Sequence, residues 1–189
     1  MKYSTILIQG AMDIEVEHLI KKLQGTENKT ITGYEFSIGN INNLKIIVSK
    51  TLIGTINATI ATTIGILSFK PDIVINQGIA GAHRENIHTG DIIVGERCAN
   101  INSYSMPKKG KGEKSNSLEW EPDKRAKQVK NADKNLTNEV YKFFKENSTN
   151  SVYQGTLGSG DAFNREVDRI NWISNKFDSL CEDMESIGV

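Results

Sequence analysis

The stretch STILIQGAMDIEVEHLIKKL, residues 4–23, joins a short apolar run to a more polar segment through a glycine. The run at 4–11 has the length and composition of a buried β-strand, and it meets Gly10 near its end. The segment at 12–23 has apolar residues near helical spacing and acids in its first turn, which suit the positive end of a helix dipole. The stretch therefore predicts a strand, a glycine turn and a helix.

Comparable patterns recur along the chain. A second strand-to-glycine unit is predicted at 71–82, a strand at 90–98, and a strand that ends in Gly-Ser-Gly-Asp at 152–163. GYEFSIGN (33–40) with LKIIVSKT (44–51) predicts an antiparallel hairpin. Helices are predicted at 57–69, 135–147 and 165–177, the first of them buried because it is small and apolar all round. Strands that alternate with helices favour an α/β fold with three layers, α/β/α, around a mixed central sheet.

The segment at about 102–132 interrupts this alternation. It is rich in Lys, Ser, Asn, Gly and Glu, and its aromatic anchors are Tyr104 and Trp120. This composition is typical of a long irregular surface insertion. The length of 189 residues suits one domain, so we expect a single domain over 1–189 that contains this insertion.

Charge and composition narrow the class of partner. Lys+Arg and Asp+Glu both number 23, so the chain has no global electrostatic attraction for nucleic acid or an anionic membrane. Its apolar runs are shorter than a membrane span. The two cysteines and three histidines show no metal-ligand spacing, so we expect no metal, no cofactor and no disulfide. The sequence favours a cytoplasmic protein that binds a small molecule.

Glycine-rich turns and acids follow several predicted strands. These segments are GAMDIEVE (10–17), NQGIAGA (76–82), GSGDAFN (158–164) and the terminal CEDMES (181–186). Ligands of α/β sheets collect beyond the carboxyl ends of the strands, where glycines let backbone amides approach closely. NQGIAGA lacks the glycine spacing of a dinucleotide fingerprint and the lysine of a P-loop. Each segment alone is also compatible with a purely structural turn.

Taken together and in order, these motifs resemble the nucleoside phosphorylase/nucleosidase superfamily, and most closely its bacterial 5′-methylthioadenosine/S-adenosylhomocysteine nucleosidases. The resemblance extends over nearly the whole chain except 102–132. It implies a phosphorylase/hydrolase-like fold, a homodimer, and hydrolysis of the N-ribosidic bond of a purine nucleoside with release of adenine. In such a reaction a carboxylate activates water while the ribose becomes oxocarbenium-like.

The resemblance also implies roles for particular residues. Glu15 matches the water-activating glutamate, although an acid there could serve only the helix dipole. Glu185 matches the glutamate that binds the ribose hydroxyls, and Met184 the methionine under the sugar, although methionine is often core filler. Phe163 matches the aromatic ring that stacks on adenine.

The remaining matches are backbone contacts and one departure. Asn164 occupies the position whose backbone meets the purine edge, and Ala80 and Gly81 match backbone contacts near the ribose and water. Asp183 stands near the ribose and base where the family often has glutamate. INSY (101–104) falls in the region that completes the partner subunit's pocket for the 5′ substituent, which is why a homodimer is expected.

Two alternatives remain open at the level of sequence. A purine nucleoside phosphorylase needs cations around phosphate, and His83 with Arg84 is the one feature near a glycine turn that could help. A non-catalytic nucleoside-binding module is the other alternative, because the family's general acid lies in an Arg-x-x-Ser-Asp segment that this sequence does not contain after Glu185. We therefore expect a truncated member of the family, with weak or no activity of this chain alone.

Overall fold

A computed structural model describes residues 3–125 and 128–189, which form two compact units. One unit holds residues 3–79 and 188–189, and the other holds residues 80–187. The helices are α1 (Asp13–Ile20), α2 (Thr55–Phe69), α3 (Lys134–Asn147) and α4 (Val167–Phe177). The strands of the first unit are β1 (Thr5–Gly10), β2 (Gln24–Ile31), β3 (Tyr34–Ile41), β4 (Leu44–Lys50) and β5 (Ile73–Asn76). Those of the second are β6 (Gly81–Ala82), β7 (Ile92–Asn100), β8 (Tyr104–Ser105), β9 (Glu121–Pro122), β10 (Val129–Asn131), β11 (Val152–Ser159) and β12 (Ser179–Asp183).

The first unit is a mixed sheet between two helices. Its strand order is β2-β3-β4-β1-β5, with β1 parallel to β4 and β5 and with β2, β3 and β4 antiparallel. Successive side chains of β1 point to opposite faces. Ile6 and Ile8 pack in the cluster of Val16 from α1, whereas Leu7 packs with Ile64 from α2. The predicted hairpin of β3 and β4 is confirmed.

Strand β2 has no counterpart among the sequence predictions. Its sequence QGTENKTI is polar, and seven of its eight residues are exposed. It pairs only with β3 at the edge of the sheet, and its register is irregular between Gln24 and Glu27. An exposed edge strand needs no alternation of apolar and polar residues, so periodicity does not detect it.

Helix α2 is confirmed, but the prediction that it is buried all round is wrong. Ala58 and Ala61 are fully buried, whereas Ile56 and Leu67 are each 72 % exposed. The small residues face the sheet because they allow a close approach. A Cβ on Gly65 would lie 2.7 Å from Leu7 Cδ2. The larger apolar side chains are left on the opposite, exposed face.

The second unit is built on another mixed sheet, in the order β10-β7-β11-β12-β6. Strands β7, β11 and β12 are parallel, and the two short edge strands are antiparallel to their neighbours. Helix α3 packs on β7 and β11, and α4 packs on β11 and β12. The predicted α/β class with mixed sheet is confirmed, with one five-stranded sheet in each unit and a separate two-stranded pair, β8 and β9, in the second.

The stretch 102–132 carries little regular structure where it is described. It contains the two-residue strands β8 and β9, a 3₁₀ turn at Ser117–Glu119 and the short edge strand β10. Tyr104 and Trp120 pack against each other, with ring centroids 5.8 Å apart. None of the helices in the described ranges combines the length and the apolar character that crossing a membrane requires.

Candidate active site

The Glu15 carboxylate is held by three backbone amides. Its Oε2 accepts hydrogen bonds from the N–H groups of Ala11 (2.7 Å) and Met12 (3.0 Å), and its Oε1 accepts one from Ile79 N–H (2.9 Å). The bond from Met12 is what a helix-capping glutamate makes in the first turn. The bond from Ile79 comes from a different loop, so this carboxylate does more than cap α1.

The sheet explains why these two loops meet. Strands β1 and β5 are parallel neighbours, so their carboxyl ends lie at one edge, and residues 11–12 and 77–79 leave from there. Gln77 Nε2 donates to the backbone oxygen of Glu15 at 2.8 Å. Gly78 leaves room for the carboxylate, because a Cβ there would lie 2.5 Å from Glu15 Oε1. Gly78, the first glycine of NQGIAGA, is thus required because the Glu15 carboxylate approaches its backbone closely.

In the second unit, the three parallel strands β7, β11 and β12 end at the same level of the sheet. Ser159 of β11 pairs with Asn100 of β7 on one side and with Asp183 of β12 on the other. Ile101 N–H donates to the backbone carbonyl oxygen of Ser159 at 3.0 Å, and Gly160 N–H donates to the backbone carbonyl oxygen of Asp183 at 3.1 Å. The segments that follow the three strand ends therefore start side by side, and they carry four of the site residues singled out in the sequence: Phe163, Asn164, Met184 and Glu185.

Phe163 belongs to one of these segments and lines a cavity of about 510 Å³. Its ring is 70 % exposed, and the Arg165 guanidinium lies 5.1 Å from the ring centroid. Cavities of this volume accommodate small organic ligands. The lining residues are Ile101, Asn102, Tyr104, Ser117, Trp120, Ala162, Phe163, Asn164, Arg165, Glu166 and Arg169. An exposed aromatic face next to such a cavity can stack on a flat ring.

Glu182 is a buried carboxylate that sequence reasoning missed. It accepts hydrogen bonds from Asn164 N–H (3.1 Å) and Asn164 Nδ2 (2.8 Å), and it lies 3.1 Å from His83 Nε2. Burial alone would raise the pKa of Glu182, but the hydrogen bonds from His83 and Asn164 outweigh it and hold the pKa below its usual value. As the first acid of CEDMES it was visible in the sequence, but nothing local distinguished it from Asp183 and Glu185.

The turn after β12 fixes the neighbouring acids. The Asp183 carboxylate accepts from the backbone N–H groups of Glu185 (3.3 Å) and Ser186 (3.1 Å), and also from the Ser186 hydroxyl. Met184 N–H donates to Glu185 Oε2 at 3.3 Å. Asp183 therefore shapes the turn that presents Met184 and Glu185, and Ser186–Gly188 forms a single 3₁₀ turn.

Ala80 and Gly81 are exposed beside this strand. Gly81 lies in β6 and pairs with Glu182, which places the segment 80–82 along β12. A Cβ on Gly81 would meet its nearest neighbour at 3.8 Å, an ordinary contact. Three of the predicted ligand segments therefore meet at Glu182. Gly81 pairs with it across the sheet, Asn164 donates hydrogen bonds to its carboxylate, and Asp183 follows it in β12.

The suggestion that His83 and Arg84 could help bind phosphate is wrong. The His83 side chain is 1 % exposed, and its two ring nitrogens lie 2.7 Å from Ser179 Oγ and 3.1 Å from Glu182 Oε2. Arg84 donates to the Ser179 oxygen (3.3 Å) and to the Asp178 carboxylate (2.8 Å). Both side chains therefore form their hydrogen bonds with residues of β12 and with Asp178, which precedes it.

A second group that sequence reasoning missed surrounds Arg169 of α4. Its guanidinium carbon lies 4.4 Å from the ring centroid of Trp172, 4.8 Å from that of Tyr104 and 5.6 Å from that of Trp120. Tyr104 and Trp120 were identified only as anchors of the insertion. The helical pattern of 165–177 gives no sign that Arg169 is buried, because only Trp172 lies in the same helix, while Tyr104, Trp120 and the Ser117 carbonyl come from a distant part of the sequence.

This combination of a mixed α/β fold with polar groups collected at the carboxyl ends of parallel strands defines an α/β protein with an enzyme-like site. The chain belongs to the phosphorylase superfamily, whose family model matches residues 5–189.

Individual relatives are similar over almost the whole chain. A 5′-methylthioadenosine/S-adenosylhomocysteine nucleosidase from Bacillus licheniformis is 30 % identical over 189 residues, which cover 97 % of this chain and 77 % of the relative. A protein of the same name from a Geobacillus species is 29 % identical over 197 residues, covering 97 % and 76 %. The solved Neisseria meningitidis nucleosidase, in complex with methylthio-immucillin-A, has a TM-score of 0.83 at 22 % identity and covers 100 % of this chain and 78 % of that one.

Proposed function

We propose that this protein hydrolyses the N-ribosidic bond of purine nucleosides of the 5′-methylthioadenosine and S-adenosylhomocysteine type and releases adenine. The observation that carries the proposal is the Glu15 carboxylate, which three backbone amides from two loops hold in place. The relatives that share nearly the whole chain are named for the same reaction.

Glu15 is the residue that activates water. Each carboxylate oxygen has about two lone-pair positions. Oε2 accepts two amide hydrogen bonds, whereas Oε1 accepts one, from Ile79. Oε1 can therefore accept one more, from a water molecule. A carboxylate fixed in this way orients the water and takes its proton as the oxygen attacks the anomeric carbon.

The other residues matched by the family resemblance bind the nucleoside. Phe163 stacks on adenine, and the Asn164 backbone meets the purine edge. Glu185 accepts from the ribose hydroxyls, with Met184 under the sugar. Asp183 supports this binding through the turn that its carboxylate fixes. Ala80 and Gly81 supply backbone contacts. Protonation of the departing adenine, which the reaction also requires, is assigned to no residue within 1–189.

Assembly and location are further parts of the proposal. The exposed face of α2 carries Ile56, Ile60 and Leu67, which are 72 %, 42 % and 72 % exposed. An apolar face of this kind supports a homodimer, since such surfaces favour protein contacts. Cys98 and Cys181 are free thiols, which suits the reducing cytoplasm. Light scattering of the purified chain over a range of concentrations would test the homodimer.

The experiment that tests the function is adenine release from 5′-methylthioadenosine, measured with and without inorganic phosphate at an enzyme concentration high enough to detect slow turnover. We expect a rate that does not depend on phosphate. Glu15→Gln should lower it about 10²–10⁴-fold, the usual contribution of a general base. Glu17→Gln is the matched control, because Glu17 is an exposed acid of the same helix that pairs with Lys21. A rate that requires phosphate, or an unchanged rate in Glu15→Gln, would contradict the proposal.

A further inference from the structure

Arg169 is a buried cation that makes no ion pair in the described part of the chain. The residue is 8 % exposed, and its Nη1 donates to the backbone oxygen of Ser117 at 3.0 Å. A buried charge without a counter-charge is costly. The faces of Tyr104, Trp120 and Trp172 offset part of this cost by cation–π attraction. They do not use the remaining N–H groups of the guanidinium, which suit a carboxylate.

Arg169 lines the same cavity of about 510 Å³ as Phe163. The indole N–H of Trp120 also belongs to a lining residue, and it is buried without a hydrogen-bond partner among the described residues. Buried donors in proteins are normally paired, so an unpaired one beside a cavity indicates an acceptor on a ligand. The walls thus combine a flat aromatic face, a guanidinium and a free N–H donor.

The charges around the cavity favour an anion. Arg165 and Arg169 are both lining residues. Glu166 is the only carboxylate among the described residues that line the cavity; it is exposed, and it makes no ion pair with Arg169. The nearby acids Glu119 and Glu121 are paired with Lys109 and Lys176. Glu182 lies behind the lining residue Asn164, and its carboxylate is engaged by Asn164 and His83.

We propose that this cavity binds the carboxylate of an amino-acid 5′ substituent, with Arg169 as its counter-charge and Trp120 N–H as an additional donor. The proposal rests on the proposed function and makes it more specific. A nucleoside whose adenine stacks on Phe163 lies in the cavity that Arg169 also lines. S-adenosylhomocysteine ends in a carboxylate, whereas 5′-methylthioadenosine does not. Arg169 therefore selects the carboxylate-bearing substrate.

The test is a calorimetric comparison of three ligands in a Glu15→Gln background, which slows turnover during the titration. The ligands are S-adenosylhomocysteine, the same thioether without its carboxylate, and 5′-methylthioadenosine. We expect the first to bind most tightly. Arg169→Gln should weaken its binding roughly tenfold to a hundredfold, the effect of one charge-assisted hydrogen bond or pair. The other two ligands have no carboxylate for Arg169 to bind. Their affinities should therefore change by less than about threefold, which corresponds to the weakest uncharged hydrogen bonds.

Two further variants separate recognition from folding. Trp120→Phe keeps an aromatic ring but removes the N–H, so it should weaken only S-adenosylhomocysteine, by several-fold. Lys176→Gln is the control, because Lys176 is a cation of the same helix that contacts Trp172 and pairs with Glu121 but does not line the cavity. It should leave all three affinities unchanged.

Two results would overturn the proposal. One is an equal weakening of all three ligands in Arg169→Gln and in Trp120→Phe. The other is that the unmodified cavity binds S-adenosylhomocysteine and its analogue without the carboxylate with equal affinity. Failure of the proposed function would look different. The protein with Glu15 intact would then release no adenine from either substrate, while the binding comparison would still report on Arg169.

Discussion

Glu182 and Asn164 form a two-point contact, in which the backbone N–H and the side-chain Nδ2 of Asn164 both donate to the Glu182 carboxylate, at 3.1 and 2.8 Å. Glu182 lies in β12, immediately before Asp183, and Asn164 lies in the loop that carries Phe163. His83 completes the group at 3.1 Å from the carboxylate. The contact therefore fixes the aromatic loop to the strand that leads to Glu185.

Removing Glu182 should destabilise the protein strongly. Glu182→Ala leaves Asn164 and the buried His83 without their acceptor, and each buried polar group that loses its hydrogen-bond partner costs about 1–3 kcal/mol. Urea unfolding of the variant and the unmodified protein would measure the difference. Glu96→Ala is the control, because Glu96 is an exposed acid of β7 and should cost within about 0.5 kcal/mol. Equal midpoints for the two variants would show that the Glu182 contacts are not stabilising.

The same carboxylate should make stability depend on acid pH. Burial raises the pKa of Glu182, but hydrogen bonds from His83 and Asn164 outweigh this and place the folded-state pKa below the usual 4.5. A lowered folded-state pKa contributes stability that is present above pH 4.5 and is lost as pH falls through the folded-state value. The difference in unfolding free energy between the unmodified protein and Glu182→Gln should be constant near neutral pH and shrink below pH 4.5. A difference that grows on acidification would contradict this assignment.

Gly78→Ala should impair catalysis by moving the Glu15 carboxylate. The new Cβ would lie 2.5 Å from Glu15 Oε1 and 2.9 Å from its Cδ, so the carboxylate must shift and lose the hydrogen bond from Ile79. A hydrogen bond to a charged group contributes about 1.5–3 kcal/mol, which corresponds to a roughly tenfold to hundredfold slower release of adenine. Initial rates with 5′-methylthioadenosine would measure the loss.

Gly110→Ala is the control for that experiment. Its Cβ would meet the nearest atom, Cδ of Glu113, at 3.5 Å, an ordinary contact, so its rate should be unchanged. If both glycine variants keep the full rate, the position of Glu15 does not matter for the reaction.

Local sequence predicted the elements whose side chains alternate or repeat, and tertiary contacts decided the rest. The apolar run before Gly10 predicted β1 correctly, because a buried strand must be apolar. Strand β2 lies at an exposed edge and needs no such pattern. His83 follows a glycine turn and suggested phosphate, yet its partner Glu182 is 99 residues away along the chain. Arg169 is likewise 49 residues from Trp120, and no local pattern connects them.

The two cysteines should be inert in the folded protein and reactive once it unfolds. Cys98 of β7 and Cys181 of β12 are both aligned with Leu157 of β11, the strand between them, and they are 9 % and 1 % exposed. Burial, with a contribution from the Asp183 charge, raises the pKa of each thiol to about 12. The thiolate is the reactive form, so iodoacetamide at pH 8 should leave the native protein unmodified.

Mass spectrometry would count the modified thiols before and after denaturation in guanidinium, where we expect none and then both. Their strands are two strand spacings apart, about 10 Å, which exceeds the separation that a disulfide can bridge. Mild oxidation of the native protein should therefore produce no internal crosslink. Rapid labelling of the folded protein, or a crosslink between Cys98 and Cys181, would show that the strand order β7-β11-β12 is not maintained in solution.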